Sequence, residues 1–402
     1  MKILRIDFET YSEAALGGQE SVGVWNYANH PSTQVLMLAY KLPYATGVQL
    51  WEPHLGPMPD NLRAALEDPE VSVSAFNSAF ERYILQYKLG IVVPVSRFVD
   101  PQVSCRYLSM PGDLDEASDI LGLPANLAKD KRGHVLIKLF CEPQENKKKR
   151  GEAQTYFKAD WNSHPREWEE FCNYCKQDVV AEGEVTRRCD ILGAFPLPPF
   201  ERRVWEFDQR VNDRGIPVDR EFVVKMYGLA VRSKQEALDK QNAITGLENA
   251  NSQQQLLPWV KARGYPRNTL RKETVDSVLK DPEVKLTDEA RAVLTSRREA
   301  SSTSYQKLNA ILRQLSPDNK LRGQFIFMGS PRCGRWSGNA VQLHNIARPG
   351  VLNGHDFEDM RVMTEAREMI QREDYDGIKA KYGSVLLTVK NCIRTVFVAE
   401  GT

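Results

Sequence analysis

The chain opens on an alternating stretch. In residues 3–8, ILRIDF, Leu4, Ile6 and Phe8 fall on one face of an extended strand and Ile3, Arg5 and Asp7 on the other. Further β-rich runs follow at 34–41, 47–51 and 71–76, and the first three of these four runs are close enough to form an antiparallel meander. Elsewhere the period lengthens toward 3.6. Helices are expected over 60–67, over 79–89 with a long hydrophobic face, over 101–109, over 114–121 and over 165–192. The acids of 114–121 gather near its start, as a helix dipole favours, and proline bounds 165–192 at both ends. The expected fold class is α/β, a small mixed sheet with flanking helices.

Residues 194–200, AFPLPPF, carry three prolines and no periodic pattern, which reads as a domain boundary. Beyond it helix formers dominate, with amphipathic runs at 202–213, 220–242, 288–298 and 303–314, before a turn-rich basic stretch at 322–349. Three domains are expected: 1–195, a mostly helical 200–320, and 321–402. The length of 402 residues agrees, at about 150 per domain. Apolar residues at 42% and charged residues at 27% fit a globular chain. With 54 Lys and Arg against 53 Asp and Glu, bulk charge announces no nucleic-acid or membrane partner, and any such surface must be local. The longest apolar stretch, 35–40, is too short to span a bilayer. The amino terminus has no hydrophobic signal core, and seven scattered cysteines form no disulfide framework. A soluble cytoplasmic protein with no membrane partner is expected.

Asp7 and Glu9 lie two apart on the first strand, so both side chains leave the same face. Neighbouring anions on a buried strand repel and are costly to desolvate, and a divalent cation is the usual reason a fold tolerates them. A solvated strand end is the alternative. Tyr174 and Asp178 stand at i and i+4 on one helical face, a pairing suited to orienting a water beside a metal. Between these ends, SAFNSAFERYIL offers Asn77, Phe80 and Glu81 at the start of a helix. In this order the residues resemble the three motifs of the DEDDy 3′–5′ exonucleases, D-x-E, N-x2-3-[FY]-[DE] and Y-x3-D, over residues 1–195.

The resemblance implies a ribonuclease-H-like sheet and a two-metal mechanism, with two Mg²⁺ or Mn²⁺ ions about 3.5–4 Å apart. It makes Asp7, Glu9, Glu81 and Asp178 the metal ligands, gives Tyr174 the attacking water, and sets Asn77 and Phe80 against the single-stranded 3′ end of DNA. The family's third acid is commonly Asp, where this chain has Glu81. Asp100 is a nearby competing acid, or else a helix cap. Segment 129–150 holds eight Lys or Arg and three Asp or Glu, a solvated loop or a grip on DNA phosphates.

In the second half, 301–308 (SSTSYQKL) and 329–349 (GSPRCGRWSGNAVQLHNIARP) resemble family A DNA polymerases, particularly those of bacteriophages. The second stretch matches T-G-R-x-S-x4-[NQ]-L-Q-N-[IL]-x-R, with Cys333 for Thr and His344 for Gln. The resemblance implies a thumb over 200–320 and the first part of a palm over 321–402. It sets Arg335 in the minor groove at the primer end, Gln342, His344 and Asn345 along the primer–template, and Lys307 on phosphates. Minor-groove acceptors are shared by all correct pairs, so an arginine there senses pairing without reading sequence.

The palm aspartates of polymerisation are not found. DYDGIKAKYG, with Asp374 and Asp376, imitates one motif but precedes NCIRTVFVAEGT, where the family has a non-catalytic helix. No H-D-E string and no fingers helix occurs. The expectation is a proofreading 3′–5′ exonuclease joined to an incomplete polymerase. A second chain would supply fingers and the remaining palm, or the gene product is truncated or decayed. The competing reading is a DNA-binding scaffold half whose exonuclease is weak or silent. Cys172 and Cys175 form C-x2-C without a second Cys/His pair, and read as buried thiols rather than a zinc site. Trp161, Trp168 and Trp205 read as core.

Overall fold

A computed structural model describes residues 1–124, 132–146, 153–300 and 304–400. The chain divides into two compact units, one of residues 1–215 and 314–343, the other of 216–313 and 344–402.

The first unit is built on a five-stranded mixed sheet: β1 (Lys2–Tyr11), β2 (Gln34–Lys41), β3 (Gln49–Trp51), β4 (Val71–Ser74) and β5 (Phe98–Val99), in the order 3-2-1-4-5. β1, β2 and β3 pair antiparallel, as the meander requires, while β4 and β5 join parallel to β1. The helices of this unit are α1 (Val24–Asn29), α2 (Asp60–Glu67), α3 (Ala79–Leu89), α4 (Pro101–Tyr107), α5 (Leu114–Ile120), α6 (Gly133–Cys141), α7 (Pro165–Ile191) and α8 (Pro199–Arg214). The alternation in β1 fixes both faces of the sheet. Leu4, Ile6 and Phe8 pack with Leu62 and Leu66 of α2 and Ile84 and Leu85 of α3. On the opposite face, Met37 and Ala39 of β2 pack under Phe140 of α6 and Trp168, Phe171 and Cys175 of α7. Asp7 and Glu9 pair across the ladder with Ala39 and Met37, so they point to this α6–α7 face.

The proline-rich segment 194–200 does not separate the units. Ala194 and Phe195 are buried, and Trp205 of α8 belongs to the same core as Leu4 and Ile6. Arg82 of α3 forms a two-pronged ion pair with Asp213 of α8, at 2.8 and 2.7 Å. The prolines make a turn inside the first unit, and the expected boundary at 195–200 is corrected to Gly215. The expected boundary at 320–321 fails as well. Residues 314–343 return to the first unit, where strands Phe325–Ser330 and Arg335–Gly338 form a hairpin. Asn212 of α8 ties that hairpin down, accepting from the Phe325 N–H and donating to its carbonyl, both at 3.0 Å. Local composition reports backbone preference, and these long-range contacts override it.

The second unit is mostly helical: α9 (Arg220–Thr245), α10 (Gln253–Lys261), α11 (Lys272–Lys280), α12 (Asp288–Ala300), α13 (Ser304–Gln314, its last residue in the first unit), α14 (Met360–Gln371), α15 (Tyr375–Tyr382) and α16 (Val385–Cys392). Asp374 is the N-cap of α15, accepting from the Gly377 N–H, a structural role that agrees with setting DYDGIKAKYG aside. Trp168 and Trp205 are buried as expected, but Trp161 is exposed and stacks on His54 at 3.8 Å. Residues 129–131 and 147–150 of the basic segment and 301–303 ahead of Lys307 lie outside the described residues. Among the described residues no helix is long and apolar enough to cross a membrane.

Replacing Trp205 by alanine is expected to destabilise the sheet unit by about 3–5 kcal/mol, the usual cost of an emptied aromatic core site. Native-state hydrogen exchange checks this. Faster exchange of β1 and β4 amides ties α8 to the sheet, and unchanged protection there would assign α8 elsewhere.

Candidate active site

One cleft of about 820 Å³ in the first unit is lined by Asp7, Glu9, Asn77, Phe80, Glu81, Tyr174 and Asp178. These residues come from β1, from the start of α3 with the turn before it, and from the middle of α7. The three stretches lie far apart in sequence, and the fold brings all seven side chains to one place.

Each element arrives for a local reason. β1 is the central strand, and its ladder with β2 slips by one residue at Glu9/Thr10, a bulge of the sort that re-aims side chains beside a site. The turn before α3 is held by Asp100. Its carboxylate accepts from the Asn77 N–H at 3.1 Å, and from the Ser78 N–H at 2.8 Å and hydroxyl at 2.9 Å. It also caps α4 through the Gln102 N–H at 2.9 Å. Asp100 is therefore a cap, and at the same time the anchor of a turn in which Asn77 sits in the left-handed region at φ 69°. α7 is clamped over β1 and β2 by the core beneath Phe171 and Cys175.

Electrostatics single out Glu81. It is 3% exposed, and its Oε2 has no hydrogen-bond partner. Burial, reinforced by Asp7, holds its carboxyl well above the ordinary carboxylate range, with Asp100 and Glu182 adding to the effect. Tyr174 bonds to Asp178, and burial together with the Asp178 and Glu9 charges keeps its phenol protonated. The Tyr174 ring lies against the backbone of Gly133, where an added Cβ would stand 2.9 Å from Cζ, so α6 approaches only because residue 133 is glycine. Glu182, two turns beyond Tyr174 on α7, bonds to the Ser74 hydroxyl of β4, and burial raises its carboxyl to about 7 against the pull of Arg5.

Two thiols reach the acids. Cys175 donates to the carbonyl and Oδ2 of Asp7, both at 3.6 Å, and Cys141 donates to Glu9 Oε2 at 3.6 Å. The C-x2-C spacing and burial alone give neither thiol a place at the site. The signal lies in CKQD, where Cys175 stands three residues before Asp178 and so shares its side of α7. The cleft offers oxygen donors from four acids, one of them an orphaned buried oxygen, and this donor set fits hard divalent cations.

Of the polymerase-like residues, Arg335, Gln342, His344 and Asn345 are exposed and Lys307 is half-buried. Arg335 stands on the second hairpin strand and Gln342 follows it in the first unit, while His344 and Asn345 begin a segment of the second. Gly334 makes the hairpin turn at φ 61°. Burial lowers the pKa of Lys307 in the second unit.

No family model matches the chain. A curated relative, the DNA polymerase of Bacillus phage SP02, is 29% identical over 403 residues, an alignment covering all of this chain and 58% of the relative. The chain resembles a phage DNA polymerase. It spans less than two thirds of that relative's length. Among solved structures, the POL domain of Pol1 from M. smegmatis, in complex with DNA primer-template and dNTP, aligns over 86% of this chain and 52% of its own. The TM-score of that alignment is 0.48 and the identity 13%.

A carboxyl whose pKa is raised on folding costs stability once pH exceeds its unfolded value, because the native state must then hold a proton the unfolded state has released. Glu81→Gln is thus expected to raise the melting temperature of the cation-free protein at pH 8 by about 2–4 °C. The gain should vanish near pH 4. Calorimetry in EDTA at the two pH values checks the sign.

Proposed function

We propose that the chain is a metal-dependent 3′–5′ DNA exonuclease with a ribonuclease-H-like sheet. It would act in proofreading as the N-terminal portion of a family A DNA polymerase, in the cytoplasm of a bacterial or phage-infected cell. The observation that carries this reading is the convergence of Asp7, Glu9, Glu81, Tyr174 and Asp178 on one cleft, with a buried Glu81 oxygen left unpartnered. Similarity to a phage DNA polymerase along the whole chain supports DNA as the substrate.

Asp7, Glu9, Glu81 and Asp178 would hold two Mg²⁺ or Mn²⁺ ions. When bound, such ions supply hydroxide near neutral pH and stabilise charge on the leaving 3′ oxygen. The remaining work belongs to the protein. Tyr174 stays neutral and donates to Asp178, leaving its oxygen to accept from a water in the cleft. Phe80, half-buried at the mouth beside the Tyr27 ring, offers a face on which a terminal base stacks. Asn77, in its strained turn, presents an amide to the same strand end. Arg335, His344, Asn345 and Gln342 would follow a primer–template duplex, and Lys307 its phosphates. Palm aspartates and fingers, further along one polypeptide or on a second chain, would complete a polymerase.

With 5′-labelled single-stranded DNA and Mg²⁺, a ladder shortening from the 3′ end is expected, and Asp7→Ala should reduce its rate by at least about 10³-fold while leaving DNA binding in place. A mobility shift without shortening by the native protein would favour the scaffold reading. Arg335→Ala should weaken duplex binding by about 1–2 kcal/mol uniformly across sequences, read by fluorescence anisotropy.

A further inference from the structure

We infer that Cys175 adds a sulfur ligand to the Asp7–Glu9 pair, so that the cleft takes a thiophilic divalent cation, Zn²⁺ or Cd²⁺, more tightly than carboxylates alone would allow. The inference rests on the exonuclease reading for placing a cation there, and goes beyond it in naming the donor and the class of ion.

The geometry is already set. One oxygen of Asp7, one of Glu9 and the Cys175 sulfur lie within 4.8 Å of one another. Cys175 Sγ stands 3.6 Å from Asp7 Oδ2. A tetrahedral ion with sulfur at about 2.3 Å and oxygen at about 2.0 Å has a sulfur–oxygen edge of about 3.5 Å. The two donors therefore stand at the separation such an ion requires. Glu81, whose buried Oε2 has no partner, lines the same cleft and offers a further oxygen.

The thiol enters by exchange. In the cation-free protein the Cys175 S–H donates to Asp7. An arriving ion displaces that proton to solvent, and the sulfur that held it becomes a ligand. A hard ion such as Mg²⁺ gains little from sulfur, whereas Zn²⁺ and Cd²⁺ gain a strong bond, so the thiol changes which ion wins. Cys172, one turn earlier on α7, lies beside Glu52 instead. Cys141, beside Glu9, is the neighbouring thiol a test must separate from Cys175.

The test titrates Cd²⁺ into the EDTA-stripped full chain and follows the ultraviolet thiolate-to-cadmium charge-transfer band. The band is expected in the native protein and in Cys333→Ser. It should be lost in Cys175→Ser and in Cys175→Ala, with Cd²⁺ affinity weakened by about tenfold or more. Circular dichroism confirms that the variants fold, and the two replacements guard against failure of either one. An unchanged band in both Cys175 variants, or a band lost only in Cys141→Ser, overturns the inference. Mn²⁺ binding read by electron paramagnetic resonance separates the two levels. Asp7-dependent Mn²⁺ binding with no Cys175-dependent cadmium band sinks the thiol ligand and leaves the exonuclease reading standing. Mn²⁺ binding indifferent to Asp7→Asn sinks both.

Discussion

Crowding negative charge into a space with little water is the constraint around which the first unit is organised. Glu81 is buried beside Asp7 with one oxygen unsatisfied, and such a group costs about 1–3 kcal/mol. The surroundings are arranged to bear this. Asp100 is half-buried, and four donated hydrogen bonds satisfy it. Glu182 is buried opposite Arg5 and bonded to Ser74. The thiols of Cys175 and Cys141 donate weakly to Asp7 and Glu9. Glu81 and Glu182 each keep one buried oxygen without a partner, and of the two Glu81 lines the cleft. Two hydrophobic layers, one on each face of the sheet, supply the stability that permits this, and β1 contributes to both through its alternation.

Much of this was legible in the chain because it is local. The two-residue period of ILRIDF separates Leu4, Ile6 and Phe8 from Asp7 and Glu9, and that separation is the one the sheet uses. Helices such as α2 and α3 begin and end where their apolar period does. The spacing of Tyr174 and Asp178 puts both on one face of α7, where they bond to each other.

What stayed hidden depends on contacts between distant residues. Three prolines at 196–199 describe a turn, but whether that turn is a linker is decided by Trp205 reaching the sheet core and by Arg82 meeting Asp213. The return of 314–343 to the first unit depends on Asn212 holding Phe325 from more than a hundred residues away. Trp161 has the same spacing clue as Trp168, yet it stays at the surface, stacked on the His54 ring and edge-on to Trp168. The C-x2-C spacing suits zinc or burial, whereas the helix sends its two thiols to different neighbours, Cys172 toward Glu52 and Cys175 toward Asp7.

The glutamate at position 81 can be understood in the same terms. It occupies the first turn of α3, where the helix dipole favours a negative charge and partly offsets the cost of burial. Its helix starts from a turn pinned by Asp100 through two backbone N–H groups, so the entry point of α3 is held rather than free to adjust. With the backbone held, reach into the cleft has to come from side-chain length. An aspartate at this position would end one methylene short of where Glu81 ends, and the deficit would fall on the distance to Asp7. The substitution of a longer acid and the clamp at Asp100 thus belong to one arrangement: a fixed helix start and a side chain long enough to bring its carboxylate to the others.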